Sequence, residues 1–293
     1  MKIKLEKAKT TAPKKLDKEK IKKETAKMVI KLQEHQNKMF AQGKYSLLII
    51  FQGMDAAGKD SAIKTVFSGL NPLGCNAVAF AKPTEEEYSH DFLRRIHQHT
   101  PAKGMVQIFN RSYYEDILVP TVEKIYHPKE IAKRYDDINN FEELIQENDT
   151  IIVKFFLDIS HDKQEEKLQE RITRKDKHWK FDPSDARARA KWKDYIKTYE
   201  QIFEKCDKVK RHIVPADQKR YKNYCIAKVI LEAFNSMKLE RPDLPETADD
   251  QKKAIKKTKD KKDKKDDKDK KDDKDKKKNK EKNSKKDKKK KKK

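Results

Sequence analysis

Long apolar runs are missing from this 293-residue sequence: the longest, Leu47–Phe51, has five residues, where roughly 20 are needed to span a bilayer. No membrane is therefore expected among its partners. Cysteine is scarce. Cys75, Cys206 and Cys225 stand far apart, their number is odd and no C-x-x-C pair occurs, which argues against both a disulfide framework and a zinc site. They read as small packing residues. The first fifteen residues, MKIKLEKAKTTAPKK, are basic but have no apolar core of the kind a secretion signal carries. The expectation is a soluble cytoplasmic protein, in which the glycosylation-like triplets at Asn110 and Asn148 carry no meaning.

What is abundant is positive charge. Lys and Arg number 74 against 50 Asp and Glu, a net of +24. From Gln251 to Lys293 there are 26 lysines against 10 acidic residues, a net of +16 over 43 residues, and only Ala254 and Ile255 are hydrophobic. Such a segment cannot bury enough apolar surface to offset its ordering entropy, so disorder is expected. Arg241–Pro245, with two prolines, marks its start, and residues 241–293 are assigned to this tail. The remaining body of about 250 residues suits one large domain or two small ones.

Within the body, Ile21, Met28, Val29, Leu32, Met39 and Phe40 recur at helical spacing and Gly43 supplies a stop, predicting a long amphipathic helix within an N-terminal extension, residues 1–42. That helix could pack on its own body or on a partner subunit. Five apolar runs follow: Leu47–Phe51, Cys75–Phe80, Met105–Phe109, Ile151–Leu157 and Arg211–Pro215. Helical patterns lie between and after them, near 59–70, 85–99, 128–147, 160–175, 184–206 and 217–237. Strands alternating with helices predict an α/β fold, a parallel five-stranded sheet with helices on both faces. In such a sheet ligands bind beyond the carboxyl ends of the strands, so the chemistry is sought just after each run.

Directly after the first run, Gly53 to Lys59 fits G-x-x-x-x-G-K, between a strand and a helix carrying Ile63, Val66, Phe67 and Leu70 on one face. Glycines there let successive N–H groups of Gly53, Ala56, Ala57 and Gly58 point inward as an anion-binding nest, and Lys59 adds a full charge. The plain alternative is an ordinary strand-to-helix turn. The usual Ser or Thr after the lysine is replaced by Asp60, with Ser61 one place later. Asp55 is an acidic residue inside a phosphate loop, which makes sense if it holds a cation.

The third run ends in Asn110-Arg111-Ser112-Tyr113-Tyr114-Glu115-Asp116. Phosphoryl transfer relies on positioning and charge neutralisation, so Arg111 is expected to clamp the transferring group and Asp116 to ligate magnesium; a solvated polar turn is the alternative, and Glu115 could be only a surface partner for a lysine. After the fourth run, Arg171 to Pro183 interleaves Lys and Arg with Trp179 and Phe181. It is either a charged helix end or a lid, near 171–190, whose aromatics anchor it while its cations close over an anionic substrate.

Taken together, GMDAAGKD (53–60), Lys82-Pro83-Thr84, Asp91-Phe92-Leu93-Arg94-Arg95, FNRSYYED (109–116), KFFLDIS (154–160), DKHWKF (176–181) and Val214-Pro215-Ala216-Asp217 closely resemble the second family of polyphosphate kinases, the polyphosphate:nucleotide phosphotransferases. These landmarks extend from about residue 15 to about 238. The resemblance implies a P-loop kinase-like three-layer αβα fold with a helical lid over residues 43–240. It further implies magnesium as cofactor, and inorganic polyphosphate and adenine nucleotides as substrates. By it, Asp55 and Asp116 sit at the metal and acceptor, and Lys59 and Arg111 at the transferring phosphates. Arg171, Lys177 and Lys180 belong to the lid, with Asp60, Ser61, Lys82, Arg95, Asn110 and Glu115 among the substrate contacts. The family also lacks Ser or Thr after the loop lysine. Members restricted to nucleoside diphosphates tend to carry Asn-Arg where Glu115 and Asp116 stand, so the Glu-Asp form together with KHWKF is similar to the subgroup usually called class III. A homo-oligomer is expected.

A nucleotide phosphate oxygen is already largely ionised at neutral pH, so no strong general base is required and none of the eight histidines need be catalytic; His97 and His99 read as surface residues. Two other readings share these features: an ATP-dependent nucleoside monophosphate kinase, and a non-enzymatic protein that binds nucleic acid or another polyanion. The Lys/Asp tail lies outside the family pattern. Either it is a solvated extension that meets nucleic acid only nonspecifically, or it holds long polyphosphate near the site and raises its effective concentration. Under the second reading, truncation after Asp250 raises KM for long polyphosphate at low salt, leaves kcat unchanged and spares short chains, because exposed charges are screened beyond about 8 Å at physiological ionic strength. Steady-state kinetics at two chain lengths and two salt concentrations checks this; equal KM values for long chains at low salt rule out capture.

Overall fold

Seven successive residues, Ser46–Gln52 (β1), are buried on both faces of a sheet in the computed structural model, which describes residues 3–244 together with Ala248 and Gln251. The chain divides into two units after Arg241. Apart from residues 241–244, Ala248 and Gln251, the expected Lys/Asp tail lies outside the described residues. Before β1 comes α1 (Lys18–Gln42), and after it α2 (Lys59–Phe67), β2 (Cys75–Ala79), α3 (Glu85–Tyr88), α4 (Arg94–His97) and β3 (Val106–Asn110). Then follow α5 (Glu115–Val122), α6 (Pro128–Glu147), β4 (Thr150–Asp158), α7 (His161–Thr173) and a short 3-10 turn, Lys175–Lys180. The unit closes with α8 (Ser184–Ala190), α9 (Trp192–Lys205), β5 (Arg211–Pro215) and α10 (Lys219–Ser236).

The five strands are all parallel, in the order β2-β3-β1-β4-β5, with Leu47 opposite Val106 and Ile151, and Leu157 opposite Val214. Near-continuous apolar strands fit because helices cover both faces. The expected α/β sheet is therefore present, each strand within a residue or two of its apolar run. The chain leaves β1 toward β2 and leaves the adjacent β4 toward β5, so the crevice between the ends of β1 and β4 is the switch point where this architecture binds ligands.

The helix predictions need three corrections. The pattern over 85–99 is two short helices: a capping box joins Thr84 and Glu87, and Asp91 then accepts from the Leu93 N–H at 3.0 Å, restarting the chain in a new direction. The pattern over 184–206 is likewise broken, at Lys191 (φ −97, ψ 21). A helix was missed at α5 because Pro120 lies inside it. Pro120 has no N–H to give the carbonyl of Asp116 one turn back, and Arg134 Nη1 donates to that oxygen instead, at 2.5 Å.

The first helix packs on its own body. Leu32 and Met39 are fully buried, His35 stacks on Phe234 of α10 at 5.8 Å, and Gln42 Nε2 donates to Lys238 O at 3.0 Å. Phe40, expected on the buried face, is 43% exposed; it stands one residue, about 100° of helix, beyond Met39 and lies over Gly74 instead. Among the described residues no helix is long and apolar enough to cross a membrane.

Asp158, at the end of β4, is 4% exposed, and its Oδ2 has no hydrogen-bond partner among the described residues. Burial first, and the negative charge of Asp217 second, push its carboxyl up to about 7. The native state thus holds a proton that the unfolded chain releases near pH 4, so this group makes stability fall as pH rises from about 4 to about 7. Asp158→Asn removes that slope. Thermal melts of both proteins should show a stabilising advantage for the variant that is small near pH 5 and grows toward pH 8; an advantage independent of pH would contradict the assignment.

Candidate active site

β1 delivers the chain into the loop Gly53–Gly58, and Gly58 caps α2. Gly53 (φ +146) has to be glycine, because a Cβ would lie 2.6 Å from the carbonyl oxygen of Leu157 in β4. Ala56 adopts φ +61 without that freedom, a local strain typical of loops held for function.

A loop that offers N–H groups to an anion must find other partners for its carbonyls. Here every carbonyl from Gly53 to Gly58 accepts from a side chain. Lys59 Nζ donates to Gly53 at 2.8 Å and Met54 at 3.3 Å. Gln164 and Lys167 of α7 donate to Asp55 at 3.1 Å and Ala56 at 3.3 Å. Lys222 of α10 donates to Ala57 at 3.1 Å and Gly58 at 2.9 Å. Gln164, Lys167 and Lys222 were not singled out in the sequence; their one signal there is a place on the helices that follow β4 and β5. Lys59 is buried, and its pKa is lowered, first by desolvation and then by the charge of Arg111. An arriving phosphate would reverse both influences.

Arg111 follows β3. Its N–H extends the ladder to Phe51 O at 3.0 Å, its φ is +65, and Nη2 pairs with Asp55 Oδ1 at 3.0 Å. Burial works against its charge, but Glu115 and Asp55 outweigh it and raise its pKa. Glu115 also accepts from Gln52 Nε2 at 3.1 Å, so it belongs to the strand ends and is no surface partner for a lysine. Asp116 is placed differently. Because α5 begins at Glu115, Asp116 is carried into the interior, where Arg95 Nη2 donates to Oδ2 at 3.2 Å. Burial raises its carboxyl pKa, opposed by Arg95.

The segment Arg171–Ala190 is tied down by ion pairs. Arg171 Nη1 donates to Asp185 Oδ2 at 2.5 Å and to Lys180 O at 3.2 Å, Lys177 pairs with Glu170, and Lys180 Nζ reaches Asp60 Oδ2 at 2.8 Å. Asn110 Nδ2 donates to the other oxygen of Asp60 at 2.8 Å. Burial alone would raise the Asp60 pKa, but the bonds from Lys180 and Asn110 more than offset it and leave it low. The aromatics expected to anchor this segment do not: Trp179 is 77% and Phe181 56% exposed. In a 3-10 turn of alternating charges, pairing the cations leaves the rings on the outside.

These parts enclose a cavity of about 770 Å³, lined by loop residues Asp55, Ala56, Gly58, Lys59, Asp60 and Ser61, by Asn110 and Arg111, and by Arg171, Lys177 and Lys180. Lys163, Lys167, Lys219 and Lys222 extend its cationic wall on the α7 and α10 side. Gly53, Ala57, Lys82, Arg95, Glu115 and Asp116 are not among the lining residues. Among the described residues no group of three or more His, Cys, Asp or Glu side chains is placed to hold a metal. Magnesium bound through substrate phosphates needs only one or two carboxylates. Asp55 on the cavity wall fits that mode; Asp116, engaged by Arg95, is not brought together with it.

Behind the Arg111 turn lies a buried polar cluster that the sequence did not announce. Glu142 of α6 accepts from Tyr113 Oη at 2.8 Å and Tyr114 Oη at 2.5 Å, and pairs with Lys154 of β4 at 2.8 Å. Lys154 Nζ also donates to Tyr114 Oη at 3.0 Å and Cys206 O at 3.3 Å. Burial chiefly lowers the Lys154 pKa to about 8, although Glu142 raises it. This cluster fixes the two tyrosines that stand between Arg111 and Asp116.

Residues 15–242 match the family model of polyphosphate kinase 2. The AMP/ADP-polyphosphate phosphotransferase of Meiothermus ruber is 37% identical over 223 residues, covering 75% of this chain and 83% of that protein. The ADP-polyphosphate phosphotransferase of Rhodopseudomonas palustris is 37% identical over 229 residues, covering 73% and 79%. The crystal structure of polyphosphate kinase 2 from Arthrobacter aurescens TC1 superimposes with a TM-score of 0.82 at 35% identity, covering 87% of this chain and 93% of that one.

Removing one member of a buried ion pair leaves the other charge uncompensated and costs about 3–5 kcal/mol. Glu142→Ala is expected to lose that much stability and Tyr114→Phe about 1–2 kcal/mol. The Glu142→Gln, Lys154→Met double variant should recover most of the loss, and urea midpoints of the three proteins check the order.

Proposed function

The chain belongs to the polyphosphate kinase 2 family, and from that membership we propose that it transfers the terminal phosphoryl group of inorganic polyphosphate to AMP, ADP or both. The observation that carries the reading is the convergence, on one cavity, of the loop with Lys59, of Arg111 from the next strand end, and of Arg171, Lys177 and Lys180. Bringing two polyanions together is the main barrier, and this wall supplies the opposite charge.

In the reaction the acceptor's phosphate oxygen forms a bond to the terminal phosphorus. The bridging P–O bond of polyphosphate breaks, and the shortened chain leaves with the electron pair. The loop N–H groups and Lys59 hold the transferring group, and Arg111, fixed by Asp55, faces the charge that spreads over its equatorial oxygens. An ionised acceptor needs no proton removed, and among the described residues no histidine lines the cavity. Magnesium, when bound, would neutralise phosphate charge, with Asp55 as its protein carboxylate. Asp116 instead orients Arg95. Use of both mono- and diphosphates is part of the proposal, supported by the Glu115-Asp116 pair and by the name of the Meiothermus relative. So is a homo-oligomer, supported by the exposed Ile30 and Phe40 on α1, which sedimentation reads directly.

Incubation with magnesium, AMP and polyphosphate, with ATP left out, should give ADP and ATP; no product would sink the proposal and favour an ATP-dependent kinase. Lys59→Ala is expected to abolish transfer with the fold retained. Arg111→Ala should lower kcat by ~10³ or more, the range of arginines that act on a transferring phosphoryl group. Near-normal turnover in either folded variant, followed by coupled nucleotide detection, would refute its role.

A further inference from the structure

Lys222 sits on α10, 1% exposed, five positions after Asp217 and outside every motif singled out in the sequence. Its ammonium donates to the carbonyls of Ala57 and Gly58, at 3.1 and 2.9 Å, and approaches Ser61 Oγ at 3.4 Å. Those two peptides are the ones whose neighbouring N–H groups open α2 toward the cavity. A lysine in such a place can pair with a carboxylate, bind substrate directly, or hold backbone. Its hydrogen bonds go to two backbone carbonyls and a hydroxyl, so the first is unsupported. The second would require the side chain to abandon two backbone oxygens: among the described residues Ala57 O has no other side-chain donor, and Gly58 O would keep only Ser61 Oγ, at 2.9 Å.

We propose that Lys222 is a positioning residue for phosphoryl transfer, clamping the carbonyls of Ala57 and Gly58 so that the adjoining amides stay turned toward the substrate phosphate. The clamp is strongest in the ammonium form: its charge strengthens both bonds to the carbonyls, and a neutral amine, with two N–H bonds, could not also reach Ser61 Oγ. The groups that face it are Lys167 on α7, Lys59 and Asp60 on α2, and Lys219 on its own helix. Three are cationic. Burial first, and these cations next, draw its pKa down to about 7, with Asp60 opposing. In the free protein the charge that strengthens the clamp is therefore weakened near neutral pH. A polyanion in the cavity offsets the cations and restores the proton, so substrate binding takes up a proton and weakens as pH rises above about 7.

The inference rests on the phosphotransfer reading, and two measurements on the full chain keep them apart. The first is kinetic. Lys222→Met should lower kcat by about thirtyfold while KM for polyphosphate changes by less than about threefold, because the remaining cations still hold the chain while the transferring group is misplaced. Lys222→Arg, which keeps its charge at every accessible pH, should recover a large part of kcat. Its kcat/KM should stay level above pH 7, where that of the wild type falls. A kcat for Lys222→Met within about threefold of wild type would overturn the proposal, as would a Lys222→Arg profile falling with the wild-type limb. If Lys222→Met fails to fold, the Lys222→Arg profile alone decides. The second measurement needs no turnover. Tripolyphosphate binding followed by calorimetry at about pH 7.5 in two buffers of different ionisation heat should show proton uptake by the wild type and clearly less by Lys222→Arg. Equal uptake would overturn the clamp even in an active enzyme; reduced uptake would uphold it even if the wild type lacked polyphosphate-dependent transfer.

Discussion

A peptide loop that greets an anion with its N–H groups has an equal number of carbonyl oxygens, and these would repel the same anion unless held away from it. That constraint organises this protein. Lys59 turns back on the start of its own loop, α7 supplies Gln164 and Lys167 to the middle, and α10 supplies Lys222 to the end. Each donor is a buried or half-buried side chain on a helix that follows a strand end, α2 after β1, α7 after β4 and α10 after β5, so the loop's shape depends on three segments distant in sequence. α1, lying along α10 with His35 stacked on Phe234, supports the clamp from outside. The N-terminal helix thereby contributes to a site it does not touch.

The second strand end is held by a different means. Tyr113 and Tyr114 reach Glu142 and Lys154 in a site without water access, where hydrogen bonds and charges are strong only if all are satisfied. With the tyrosines fixed, Arg111 has little choice of direction and accepts a left-handed backbone. Asp60 then ties the two ends and the segment Arg171–Ala190 together, through Asn110 on one oxygen and Lys180 on the other. The hydroxyl that usually follows the loop lysine has been replaced by a carboxylate that organises neighbours.

Much of this was legible in the residues. LLIIF and IIVKFFL are too continuously apolar for anything but strands covered on both sides, and the glycine spacing after the first of them placed the loop. The helix breaks at Ser89–Leu93 and Lys191 were not legible, since they depend on side-chain caps and on packing that periodicity does not encode. Neither was α5, because a proline within a helix is tolerated only where another donor, here Arg134, satisfies the freed carbonyl. The surroundings of Asp116 were hidden for a related reason: a carboxylate at a strand end looks solvent-facing until the helix that carries it, and its partner Arg95, are known. Lys154 did leave a trace. A lysine inside an otherwise apolar strand must have a buried partner, though its identity, Glu142 on the preceding helix, comes only from the tertiary structure.

Gly58 and Lys222 are separated by 164 positions and yet occupy one space: a Cβ on the glycine would meet the lysine's ammonium. A side chain at 58 displaces the clamp as well as straining the backbone, whereas a shorter residue at 222 leaves a hollow that a larger residue at 58 could fill. Neither change is tolerable alone in a lineage that keeps the loop's geometry. The two positions should therefore drift as a pair or not at all, so descent itself would record the contact as correlated substitution between the loop and the last helix.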